Sequence, residues 1–281
     1  MKTLQDVSET LWIPLFGKAR ESIRRDRFIV DEKAVEIASL ACERMPELNR
    51  WWVDLSMETQ ALMVWRNSSI DSYATEFIDK NPNATIVNLG AGLCTRFSRV
   101  DNGKINWLEF DLPNVKEVWL EFNEETDRHR YYTDSIFGDE WIHIVKSYSQ
   151  GRIMFIAEGL FMHFSKEEVE ELLRNLSENF PNSEIVAEVY SKIVLKRRHP
   201  DVRRTTSDKT KAPWGVTNGK EFESWDVGVK HINDDFITSN GNAMKRMPAL
   251  NKGMAQLPFF RKLGKMVHLK FERQSSSCKS I

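Results

Sequence analysis

Two glycines one residue apart, Gly90 and Gly92, close the run Thr85-Ile86-Val87-Asn88-Leu89, and three later stretches each end in a polar group: Asp111, Asp134-Ser135 and Glu158. The first run is β-branched or apolar except for Asn88, the pattern of a short buried strand. A glycine turn after such a strand keeps side chains out of a ligand's way. Backbone N–H groups can then approach a polar or anionic ligand at the carboxyl end of an open α/β sheet. A purely structural turn is the competing reading. The third glycine of a dinucleotide fingerprint would fall where Thr95 stands, which disfavours a nicotinamide or flavin dinucleotide.

Asp111 follows the glycine turn by about 20 positions, at the end of the next strand, where a carboxylate can accept from both hydroxyls of a ribose. Glu109, earlier on that strand, is its rival, and an N-cap for the following helix is the alternative role for Asp111. Asp134 and Ser135 can offer a side-chain acceptor and a backbone N–H to an adenine ring, although spacing alone does not single them out. Glu158-Gly159 ends the apolar run Arg152 to Ala157. A carboxylate at the mouth of a buried strand needs a partner, and an ammonium group would supply one. A ribose, an adenine and an ammonium without phosphate contacts describe S-adenosylmethionine rather than NAD or ATP. No phosphate-binding Gly-x-x-x-x-Gly-Lys motif is present, and no tyrosine has a lysine four residues on. His163, in the short loop Leu160 to Phe164, is a candidate general base or acceptor contact, or a packed histidine. The capping box Ser165-Lys166-Glu167-Glu168 fixes that loop's far end.

The elements that must position these groups read as an alternation of strands and helices. Leu11 to Gly17 is an apolar patch broken by Pro14 and Gly17, followed by Lys18, Arg20, Arg24, Arg25 and Arg27. It reads as a lead-in that can fold over a ligand, with Lys18 or Arg20 reaching a carboxylate, or as a solvated basic face. Asp31 is a predicted N-cap. A second helix spans about Glu58 to Lys80 with Leu62, Trp65, Ser69, Tyr73 and Phe77 in one stripe and Arg66 beside it. Strands are expected at 85–89, 105–110, 130–133, 152–157, 183–190 and 228–232. The clean alternation of 266–272 suits a one-sided antiparallel strand. Residues 196–218, ending in Trp214-Gly215, read as a long excursion suited to substrate contacts. A short helix is expected over Glu221 to Trp225 and another near Ala255 to Leu263. The organisation expected is a helical lead-in (1–80), a cofactor-binding core (81–195), a substrate-side insertion with the last strands (196–273) and a disordered tail (274–281), all in one domain.

The chain has 281 residues, 41% of them hydrophobic, with 40 Lys and Arg against 41 Asp and Glu. That balance supplies no basic field for a phosphate backbone and argues against nucleic acid. Three cysteines, Cys42, Cys94 and Cys278, lack metal spacing and suit a reducing compartment, so neither disulfide nor metal is expected. Asp6 and Glu9 disfavour a secretory signal, and no stretch of about 18 apolar residues exists to cross a membrane. A cytoplasmic protein is expected.

The segments Asn88-Leu89-Gly90-Ala91-Gly92-Leu93-Cys94-Thr95-Arg96, Trp107-Leu108-Glu109-Phe110-Asp111-Leu112-Pro113 and Ala157-Glu158-Gly159-Leu160-Phe161-Met162-His163-Phe164 resemble the leucine carboxyl methyltransferase family. Within it they are most similar to the tetracenomycin-type polyketide O-methyltransferases. The resemblance runs from Leu15-Phe16-Gly17-Lys18 to the last strand. It implies an α/β, Rossmann-like class I methyltransferase with a seven-stranded, mostly parallel sheet, helices on both faces and an N-terminal helical lid. It also implies roles. Arg66 would pair with the methionine carboxylate, Lys18 and Arg20 would serve the lid, and Asn88, Gly90, Ala91 and Gly92 would border the methionine and ribose. Asp111 and Leu112 would hold the ribose, Asp134 and Ser135 the adenine, and Glu158 and Gly159 the amino group. His163, Tyr190 and Trp214 would face the acceptor. Cys94 stands where many relatives carry an acidic residue, and His163 where an aromatic one is usual. The expectation is S-adenosylmethionine-dependent O-methylation of a small molecule at a carboxylate or aromatic hydroxyl. Action on a protein C-terminal carboxylate, or cofactor binding without catalysis, is the alternative.

Overall fold

A computed structural model describes residues 11–191, 214–255 and 264–272. Within them the apolar runs form a seven-stranded sheet: β1 (Thr85–Leu89), β2 (Asn106–Phe110), β3 (His129–Tyr132), β4 (Ile153–Ala157), β5 (Glu184–Tyr190), β6 (Val229–Phe236) and β7 (Gly264–Phe271). Their order is β3-β2-β1-β4-β5-β7-β6. β1 to β5 pair in parallel, and β7 runs antiparallel to both β5 and β6. This is a Rossmann-like, doubly wound order with an antiparallel β7, as expected, and its switch point lies between β1 and β4, where carboxyl ends open a crevice. β6 runs on to Phe236, past the expected Ile232, across a bulge between His231 and Asn233.

Besides a single α-helical turn at Trp51–Asp54, the described α-helices are α1 (Trp12–Ser22), α2 (Glu32–Arg44), α3 (Met57–Lys80), α4 (Phe97–Val100), α5 (Pro113–Leu120), α6 (Glu140–Tyr148), α7 (Lys166–Asn179), α8 (Gly241–Arg246) and α9 (Ala249–Ala255). Alternation along the strands sends Val87, Leu89, Phe155, Ala187 and Leu269 to one face. There they pack against Trp141 and Val145 of α6 and Leu172, Leu173 and Leu176 of α7. Ile86, Trp107, Met154, Ile156 and Val186 go to the other face, under Val64, Trp65, Ile70 and Phe77 of α3. The Ser165 and Glu168 box opens α7 as expected, a cap worth about 1 kcal/mol.

The N-terminal segment is a buried helix and not merely a lead-in. Pro14 falls in the first turn of α1, where its missing N–H has no helical partner to lose. At Gly17 a Cβ would lie 2.4 Å from Met63 Cγ, so α1 crosses α3 at a distance only glycine permits. Gln60 Nε2 donates to the Gly17 carbonyl at 2.9 Å across the same contact. Trp12, Phe16, Ile37, Ala41 and Trp119 then form a further cluster that reaches Ala91 and Leu93 beside the glycine turn. α1 is thereby fixed over the carboxyl end of β1. The expected helix over Glu221 to Trp225 is a 3-10 segment that begins at Gly219. Of the helix expected over Ala255 to Leu263, only Ala255 lies among the described residues, as the end of α9. Most of the 196–218 excursion and the tail also lie outside them.

Candidate active site

The glycine turn is built differently from the anion cradle its sequence suggests. Gly90 N–H and Ala91 N–H both donate to the Phe110 carbonyl, at 2.8 and 3.1 Å, and Gly92 N–H donates to Asp111 Oδ2 at 2.7 Å. The donors are consumed by the end of β2. The glycines serve by lacking side chains: both sit at positive φ (65° and 56°), where other residues are strained. Tyr131 Oη donates to the Gly92 carbonyl at 3.0 Å and fixes the far side of the turn. Ala91 is buried among the N-terminal helices. Asn88 spends its amide on Glu109 at 2.7 Å, so its side chain does not face the crevice.

Glu109 is fully buried and takes three contacts, from Asn88, Trp107 Nε1 and His129. It is a satisfied carboxylate inside the sheet, which leaves Asp111 as the ribose candidate. Asp111 does not cap α5. Its second oxygen accepts Leu112 N–H at 2.7 Å, and Pro113 opens the helix beyond. Burial pushes its carboxyl up, as does Glu109, against the pull of the two backbone donors. Leu112 beside it is 64% exposed, an apolar surface free for a flat base. Asp134 and Ser135 follow β3 on the same rim, Ser135 exposed and accepting Phe137 N–H through its hydroxyl.

Across the switch point, Glu158 ends β4 and meets cations from three elements. Arg96 Nη2 lies 2.8 Å from Glu158 Oε2, Arg66 Nε of α3 lies 3.8 Å from Oε1, and Lys18 of α1 adds its field. Burial alone would raise this carboxyl; the three cations, Arg96 foremost, hold it below its ordinary value. Lys18 is only 4% exposed, and its ammonium has no hydrogen bond or ion pair among the described residues. Apart from the field it shares with Glu158, no described side chain claims that ammonium, which suits an arriving carboxylate. Arg66 Nε is likewise buried without a hydrogen-bond acceptor. Its Nη2 pairs with Glu188 of β5 at 2.7 Å. Gly159, at φ 64°, leaves open the space beside this pair: an added Cβ would stand 3.7 Å from Glu188 and 3.8 Å from Arg66. Arg20 is the exception to the expected set. Two residues beyond Lys18 on α1, it turns away and donates to the Leu55 carbonyl at 2.7 Å, holding the turn before α3.

Phe161, Met162, Val189, Tyr190 and Trp214 line a small pocket of about 10 Å³ at the ends of β4 and β5. Trp214 Nε1 donates to the Phe164 carbonyl at 2.7 Å, and Tyr190 donates to Glu188. His163 sits on the 3-10 turn Phe161–His163, exposed and outside this lining. Arg96, Asp71 and Glu188 were not singled out in the sequence. Glu188 carried a signal, since a carboxylate inside a central strand needs a partner. Arg96 and Asp71 carried none, because their pairing spans two elements. No group of His, Cys, Asp and Glu that could hold a metal occurs among the described residues, nor a helix long and apolar enough to cross a membrane.

Residues 15–177, more than half of the chain, match the family described as leucine carboxyl methyltransferase. The chain belongs to the leucine carboxyl methyltransferase family. It is 22% identical over 268 residues to the tetracenomycin polyketide synthesis O-methyltransferase TcmP of Streptomyces glaucescens, covering 92% of this chain and 96% of that one. It is 24% identical over 197 residues to the S-adenosyl-L-methionine-dependent methyltransferase dpfgK of Gibberella zeae, covering 66% of each. Among solved structures, the N-methyltransferase NodS of Bradyrhizobium japonicum WM9 with S-adenosyl-L-homocysteine overlays 73% of this chain and 87% of its own, at 5% identity and a TM-score of 0.44. The methyltransferase domain of bacterial-CtHen1-C overlays 74% and 99%, at 14% identity and 0.48. Both overlays are distant, and the strand order defines the fold without them. This member of the family is a methyltransferase.

Proposed function

We propose that this chain is an S-adenosylmethionine-dependent O-methyltransferase acting on a small molecule, at a carboxylate or an aromatic hydroxyl. The observation that carries the reading is the meeting of Lys18, Arg66 and Glu158 above a glycine turn, with Asp111 on the next strand. The residues present fit the methyl donor. Lys18 and Arg66 would take its carboxylate, Glu158 its ammonium and Asp111 its ribose hydroxyls, with Leu112, Asp134 and Ser135 at the base. Bound there, S-adenosylmethionine supplies a methyl group on a sulfonium that departs as a neutral thioether. The chain's own task is then to hold an acceptor oxygen in line and exclude water. Phe161, Met162, Tyr190 and Trp214 would have to part from around their small pocket to give that acceptor an apolar wall. A carboxylate acceptor is already ionised and needs no base; a hydroxyl must lose a proton, which His163 would take only from an acceptor that extends to the exposed turn.

The small-molecule reading is supported by the polyketide relative, which spans nearly the whole of both chains. Calorimetric titration with S-adenosylmethionine, with NAD as control, tests the donor: micromolar binding of the former alone is expected, and binding of neither or of both overturns the reading. Transfer of a labelled methyl group to aromatic acids and phenols, set against a peptide ending in a free leucine carboxylate, then separates the small-molecule from the protein acceptor.

A further inference from the structure

Glu158 does not stand in the crevice by its own rotamer alone. Its strongest partner, Arg96, is 1% exposed and reaches Glu158 from the segment between the glycine turn and α4. Arg96 is braced in turn. Its Nε lies 2.6 Å from Asp71 Oδ1 of α3, and its Nη1 lies 3.5 Å from Cys94 Sγ. Asp71 is shared with Arg99, whose Nε lies 2.8 Å from Asp71 Oδ2. Arg99 also pairs with Asp31, the N-cap of α2, which accepts Ala34 N–H at 2.9 Å and the Thr95 hydroxyl at 2.6 Å. The charges alternate along one buried line: Asp31, Arg99, Asp71, Arg96, Glu158, Arg66, Glu188. It runs from the cap of an N-terminal helix to β5, beside the small pocket.

We infer that Arg96, braced by Asp71, is the residue that positions Glu158 and keeps it charged for the donor's amino group. The inference rests on the reading of Glu158 as the ammonium partner. A fork fixed at one end by a carboxylate on α3 can offer its other N–H to Glu158 in one geometry only, which a flexible lysine cannot copy. Every other charged group facing Glu158 has a different role. Lys18 on α1 and Arg66 on α3 are the cations available to an incoming carboxylate, and Glu188 on β5 holds Arg66. When a ligand draws on Lys18 and Arg66, Arg96 keeps its Nη2 on Glu158 while its Nε stays on Asp71. The thiol of Cys94, which burial keeps protonated, leaves the Arg96 guanidinium uncontested by a third carboxylate.

The test is calorimetric binding of S-adenosylhomocysteine, which carries the same amino-acid head and undergoes no transfer, at pH 5.5 and pH 7.5. Wild-type protein, Arg96→Met, Arg96→Lys and Asp71→Asn are compared. Wild-type affinity should be the same at both values. For Arg96→Met, affinity should fall at least about tenfold at pH 7.5 and further at pH 5.5, as Glu158 protonates. Arg96→Lys should restore the flat pH profile but not the full affinity. Asp71→Asn, which alters the brace on Arg96 and no group proposed to touch the ligand, should weaken binding severalfold with an unchanged head-group pH dependence. Equal affinity and a flat profile in Arg96→Met overturn the inference. Should Arg96→Met not fold, wild-type affinity in both Arg96→Lys and Asp71→Asn overturns it as well. Absence of binding by the wild-type protein is a different result, and overturns the assignment of the donor.

Discussion

Arg66 serves the fold and the proposed donor site at once, and a pair of substitutions separates the two. Its side chain is 9% exposed and that of Glu188 is 0%, with Nη2 2.7 Å from the carboxylate. Arg66→Met would leave Glu188 buried with Tyr190 as its remaining hydrogen-bond donor. Removing one member of a buried pair costs about 3–5 kcal/mol, whereas replacing both by apolar groups of similar volume is often close to neutral. Arg66→Met and Glu188→Met should each lower unfolding free energy by about that amount, and the double variant should lose less than either, a coupling of at least ~3 kcal/mol. Urea unfolding reads this as a shifted midpoint at constant slope. Donor affinity should behave differently: the double variant regains stability but not the guanidinium, so it should bind S-adenosylmethionine at least about tenfold more weakly than wild type. Additive losses in the double variant would refute the pairing argument. Wild-type donor affinity in it would refute the role in binding.

Gly90→Ala places a Cβ 2.6 Å from Leu160 Cδ1 at a φ of 65°. Leu160 can swing aside but the backbone cannot, so a loss of roughly 1–2 kcal/mol is expected in urea unfolding, and no loss would mean the turn can relax. Acid should act through the Arg96 line. Glu158 and Asp71 are both held below their ordinary values of 4.5 and 3.8. Depressed carboxyls contribute stability that is fully present above those ordinary values and is lost as pH falls through the folded ones. Asp111, raised by burial, acts in the opposite sense and favours folding at low pH. Stability measured against pH should therefore drop below about pH 4.5, less steeply in Arg96→Met than in wild type, and equal slopes would disconnect Arg96 from the acid limb. His163→Ala should keep donor affinity while turnover of a hydroxyl acceptor falls and that of a carboxylate acceptor does not. Unchanged turnover of both removes it as a base.

The sheet was legible because its signals are local. β1, β4 and β5 are continuous apolar runs bounded by turn residues, and α7 opens on a capping box within one residue of its expected start. The 3.6 period likewise placed α3. The errors lie where partners are distant. Pro14 and Gly17 read as breakers, yet the proline falls in a first turn and the glycine answers Met63, 46 positions on by number. Lys18 and Arg20 looked interchangeable in sequence. Two positions along a helix point about 200° apart, so one enters the crevice and the other braces a turn. Arg96 stayed hidden because its two carboxylates come from α3 and β4, and nothing in the chain order announces that meeting.

The charge arrangement also argues which ligand the crevice can take. Three cations, Lys18, Arg66 and Arg96, face three carboxylates, Glu158, Glu188 and Asp71, and among the described residues every member except Lys18 has an ion pair within 4 Å, Lys18 sharing only the field of Glu158. A ligand bringing only an ammonium would leave Lys18 unpaired; one bringing only a carboxylate would satisfy Lys18 but draw Arg66 away from Glu158. An amino-acid head brings both, and each buried charge then keeps a neighbour of opposite sign. A pyrophosphate would add two negative charges against one uncommitted ammonium. It would also find the Gly90, Ala91 and Gly92 N–H groups already spent on Phe110 and Asp111. The same glycine turn that in sequence looked ready for an anion is, by its hydrogen bonds, closed to one. On the proposed reading of the site, its charges suit a zwitterion better than a dinucleotide.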